Sequence, residues 1–66
     1  MNEEQLQQDI RRFLKTFGVA ANREIEAIIR RAVETGAIGV EEPVRVRARL
    51  ELLGSDFVVD EELRLS

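Results

Sequence analysis

A chain of 66 residues with no cysteine and no histidine has room for one domain. It cannot be stapled by disulfides and offers no ordinary zinc or haem site. Its net charge of −3, with the excess acid in residues 37–66, disfavours nucleic acid and anionic membrane as default partners.

Charged residues make up 35% of the chain, yet leucine, isoleucine and valine recur periodically, as in chains that fold. No apolar run approaches the ~20 residues that span a bilayer. The start, Met1-Asn2-Glu3-Glu4-Gln5, lacks the basic and apolar regions of a signal peptide. These features predict a cytoplasmic protein. A lone copy of so short a chain buries little surface, and with disulfides and metal excluded, idealised packing or oligomerisation must supply the missing stability.

The first periodic segment places Leu6, Ile10, Phe13, Leu14 and Phe17 on one helical face, which predicts a helix over about 3–17. Glu3 and Glu4 suit its N-terminal end and Arg11, Arg12 and Lys15 its other end, with Gly18 as the residue after its C-cap. Ile25, Ile28, Ile29, Ala32 and Val33 predict a second helix over about 22–35, with Asn22 as N-cap, Glu26 and Arg30 as an i,i+4 pair and Gly36 as terminator. The linker Gly36–Glu42 carries Ile38 and Val40, and Pro43 suits the start of a strand or an edge.

From Val44 the period becomes two, which predicts strands over about 44–53 and 56–65. Gly54-Ser55 reads as a type II′ turn. That turn sets Leu52 against Phe57, Leu50 against Val59, Arg49 against Asp60 and Arg47 against Glu62. Its one cost is Arg45 opposite Arg64; opposite charges in such pairs help, and like charges destabilise, by roughly 0.2–1 kcal/mol per pair. The expected fold is therefore α+β: a single ααββ domain over 1–66, with both helical stripes laid on one face of an antiparallel hairpin.

The segments Met1-Asn2-Glu3, Ile10-Arg11-Arg12-Phe13-Leu14-Lys15, Gly18-Val19 and Arg23-Glu24-Ile25-Glu26 resemble a family of short, uncharacterised bacterial proteins classed as a domain of unknown function. The resemblance covers the whole chain. It implies a bacterial source and the two-helix-plus-hairpin fold, and it brings no activity, cofactor or site.

Chemistry is poorly provided for. Histidine, cysteine, tyrosine and tryptophan are all absent, and no serine or threonine stands in a nucleophile motif. The run Asp60-Glu61-Glu62 reads as solvated charge with arginine partners, and the dispersed glycines make no phosphate loop. No catalytic, metal or cofactor residue is assigned, and the chain is read as a non-enzyme.

Two functional readings remain. The first is a protein-interaction or homo-oligomerisation module, joined as a homodimer through a hairpin edge. Its contact residues would be Ile38, Val40, Leu53 and Val58. Glu61, the one acid on the apolar strand face and expected opposite Ala48, either reaches water or pairs with Arg30, Arg31 or a partner chain. The second reading is a winged-helix-like nucleic-acid binder using Arg45, Arg47 and Arg49 on the hairpin and Arg23, Arg30 and Arg31 on the second helix.

Overall fold

In the computed structural model, which describes residues 1–66, helix α1 spans Glu3–Glu34, strand β1 Val44–Leu52 and strand β2 Ser55–Leu63. The α+β class and the hairpin stand. The two expected helices do not: 3–17 and 22–35 are parts of one helix, about 48 Å long at the usual rise per residue.

The reason lies in what surrounds each glycine. At Gly36 the helix ends in a left-handed residue, φ 79°. The Gly36 N–H donates to the Val33 carbonyl at 3.1 Å and that of Ala37 to Ala32 at 2.8 Å, the paired bonds of a Schellman stop. Gly18 has no such geometry. Glycine inside a helix costs roughly 1 kcal/mol relative to alanine, but Val19-Ala20-Ala21 offers no capping side chain for a restart. The apolar phase also runs through without a break: Leu6, Phe17 and Ile28 recur every eleven residues, as do Ile10, Ala21 and Ala32. Asn22, expected as an N-cap, is a mid-helix residue, and the cap is Asn2, whose side chain accepts from the Gln5 N–H at 3.0 Å. The Glu26–Arg30 pair forms at 3.7 Å.

The hairpin keeps the expected faces but not the expected register. The turn is Leu53-Gly54, with φ of 49° and 78°, which fits a type I′ turn rather than II′ at Gly54-Ser55. Arg47 therefore faces Asp60, Arg45 faces Glu62, Leu50 faces Phe57 and Val46 faces Glu61. The expected pairs Arg49–Asp60 and Arg47–Glu62 are displaced by two residues. Charge matching could not separate the two registers. Each contains two opposite-charge pairs and one like pair, here Glu51 against Asp56, and the register adopted is the one that places Leu53 at positive φ. Leu53 holds the left-handed region that costs branched residues most. Leu53→Asn, which suits that position, is expected to stabilise the hairpin by about 0.5 kcal/mol in thermal melts. An unchanged or lower melting temperature would count against the I′ turn.

The expected packing of helix on hairpin is also absent. No Cα of α1 lies within 8 Å of a Cα in either strand, and none of the 66 residues is buried. A compact chain of this length has a radius of gyration of about 11 Å. This one measures 15.7 Å, with extents of 51 × 21 × 17 Å. Its accessible surface is 6109 Å², against about 4300 Å² for a compact monomer of its mass. The helix and the hairpin are two amphipathic surfaces with an unfilled space between them.

Candidate self-association surface

The space between helix and hairpin is where the apolar residues collect. The helix runs antiparallel to β1. Ile25, Ile28 and Ile29 lie level with Val44, Val46 and Leu63. Phe17, Ala21 and Ile25 lie level with Val46 and Ala48. Phe13, Leu14 and Phe17 lie level with Leu50, Phe57 and Val59. These three levels enclose about 220, 410 and 460 Å³ in turn, so the cleft widens toward the helix N-terminus and the hairpin tip.

Exposure follows the same gradient. Ile25, Ile29, Ala32, Val33, Val44 and Val46 at the base are half-buried. Phe13 and Phe17, stacked with ring centroids 6.2 Å apart, are 50% and 47% exposed, and Phe57 is 59% exposed. The apolar pattern places these side chains in a core inside one chain, whereas here they are surface. The signal available was size: a chain this short is marginal as a lone domain, which leaves room for a core completed by a second copy.

The residues expected to meet a partner are not brought together. Ile38, half-buried, and Val40 sit beyond the helix C-terminus, while Leu53, 99% exposed, is at the far tip of the hairpin, about 30 Å away along β1. Val58 lies on the outer hairpin face opposite Arg49. Glu61 is exposed on the inner face opposite Val46 rather than Ala48, and it makes no ion pair, whether with Arg30, Arg31 or any other residue.

The arginines of the alternative reading are likewise dispersed. Arg45, Arg47 and Arg49 project from the outer hairpin face. Arg23 and Arg30 each follow a cleft-facing residue by two positions, Ala21 and Ile28, which turns them about 200° round the helix and away from the hairpin. Arg31 borders the apolar stripe. With one helix in place of two, the helix-turn-helix element of a winged helix is missing.

The shorter of two ion pairs on the outer face joins the strands. Arg47 Nε donates to Asp60 Oδ1 at 2.8 Å. That hydrogen bond, aided by the positive charges of Arg47 and Arg45, holds the Asp60 carboxyl below the usual range against the opposing desolvation, and it raises the Arg47 guanidinium above its own. A depressed carboxylate stabilises the fold above its unfolded pKa of about 4 and loses that contribution as pH falls through the folded value. Melts between pH 7 and pH 2 are expected to show an acid loss that Asp60→Asn reduces. An identical acid profile in the variant would contradict the pairing. Arg49 makes no ion pair, and Arg45 faces a Glu62 whose carboxylate is 3.3 Å from Arg64.

No helix is long and apolar enough to cross a membrane, and no three acidic side chains cluster as a metal site would require. No curated protein and no solved structure matches the chain. Its sequence does match one family along its whole length, as the segments singled out above imply: by that match over residues 1–66, the chain belongs to the family of unknown function DUF6494.

Proposed function

We propose that this chain is a non-catalytic homo-oligomerisation module whose hydrophobic core forms between copies. The observation that carries this reading is the total absence of buried residues in a chain with two well-formed amphipathic surfaces. Elements this regular, left apart, expose apolar area that monomeric soluble proteins avoid. A two-stranded sheet alone is marginal in water. The lack of histidine, cysteine and tyrosine supports a structural role over a catalytic one. Light scattering at tens of micromolar is expected to give at least twice the chain mass of 7.6 kDa. A single 7.6 kDa species that melts cooperatively would end the proposal.

A further inference from the structure

We infer, resting on the self-association just proposed, that the second copy joins along the free edge of β1, on a two-fold axis through Leu50. The product is a four-stranded sheet in the order β2-β1-β1-β2 with two antiparallel helices on its apolar face. Two observations converge on this arrangement, and a third, area, fits any compact pairing of two copies.

The first is charge along the two free edges. A two-fold axis normal to the sheet pairs each strand antiparallel with itself, keeping each side chain on its own face. The outer face of β2 carries Asp56, Asp60 and Glu62, so within Ser55–Leu63 every self-pairing of β2 sets acids against acids or leaves them facing Val58 and the turn, and Arg64, the one base on that face, lies beyond the strand. The outer face of β1 carries Arg45, Arg47, Arg49 and Glu51. With Leu50 opposite itself, Arg49 of each copy faces Glu51 of the other, and no like charges oppose within the paired stretch. This pairing gives opposite-charge partners to two β1 residues that lack them in the single chain: Arg49 has no ion pair, and Glu51 faces Asp56.

The second is spacing along the helix. Leu6, Ile10 and Phe13 are mirrored by Leu14, Phe17 and Ala21, in steps of four, three, one, three and four. A stripe that reads the same from both ends is what two antiparallel copies of a helix need in order to pack about a two-fold axis. Its centre, between Phe13 and Leu14, borders the same part of the cleft as Leu50. The dyad read from strand charges and the dyad read from helix spacing thus fall at one level of the molecule.

The third is area. A compact body of twice the chain mass exposes about 7100 Å². Two copies at 6109 Å² each would therefore bury about 5000 Å² on pairing, within the range of obligate dimers.

The test uses the full chain, whose lack of cysteine makes single-cysteine variants unambiguous. The residues flanking the turn bond directly, so Leu50 directs its backbone groups at β2. It therefore meets its symmetry mate at a position without hydrogen bonds, with the Cα atoms about 4.5 Å apart and within disulfide range. With diamide as oxidant, Leu50→Cys is expected to run as a covalent dimer on a non-reducing gel, whereas Val59→Cys on β2 is not. By sedimentation equilibrium, Arg49→Glu is expected to weaken the dimer about tenfold, and adding Glu51→Arg to restore it to within about threefold. A wild-type dimer that cross-links through Val59→Cys but not Leu50→Cys, or that the double exchange fails to restore, overturns the β1 pairing and leaves self-association standing. A wild-type chain that stays at 7.6 kDa overturns both.

Discussion

Phe17→Ala is expected to destabilise the protein by about 3–5 kcal/mol, the cost of removing a large aromatic from a packed interior. Nothing in the single chain calls for so large an effect. The ring is 47% exposed, and substitutions at such surface sites usually lie within about 0.5 kcal/mol of neutral. The difference between the two figures measures how far Phe17 is covered by a second copy. Phe17 lines both of the larger parts of the cleft and stacks on Phe13, so truncating it removes a contact one helical turn from the inferred two-fold axis. Denaturant titration at a fixed protein concentration checks the prediction. A loss below about 1 kcal/mol would show that the ring stays in water, and the assembly reading would fall with it.

Gly18→Ala is expected to raise stability by roughly 0.8–1.0 kcal/mol per chain, the propensity difference between glycine and alanine in a helix interior. The sign of the effect separates two folds. In the structure Gly18 is helical, and a Cβ built on it meets nothing within 4 Å, so alanine fits and reduces the entropy lost on folding. Had the chain turned at Gly18, the residue would sit in a left-handed cap like Gly36, and alanine there would be destabilising. Thermal melts of the variant against the parent decide between them. A lower melting temperature would restore the helix–turn–helix.

Much of the fold is legible in the residues, with one recurrent source of error. The change of period at Val44, the Gly36 stop and the two faces of the hairpin all follow from local chemistry, and each is found. Neither a glycine nor an alternation of charge is sufficient by itself. Gly18 resembles a stop only if the continuing phase of Phe17, Ala21 and Ile25 is set aside. The eleven-residue recurrence of Leu6, Phe17 and Ile28 is the stronger signal, because it spans the supposed break. At the hairpin, the competing registers carry equal numbers of matched and opposed charges. The choice then rests on whether Leu53 will accept positive φ, and local propensity, which favours II′ at Gly54, points to the register that is not adopted. The missed surface has a different cause. Phe13, Phe17, Leu50 and Phe57 have the composition of a core, and patterning alone cannot say whether a core closes within one chain or between two. Only the geometry distinguishes them, through the open space between α1 and the hairpin.

The central claim is that folding and association are one event. Its most direct test is the melting temperature of the unmodified protein followed over about a thousandfold range of concentration, from sub-micromolar to several hundred micromolar. A fold whose interior forms between copies is stabilised by mass action, so its transition is expected to move upward by several degrees across that range. A cooperative transition at one fixed temperature, whatever the concentration, would mean that a single chain closes its own core and would contradict the account.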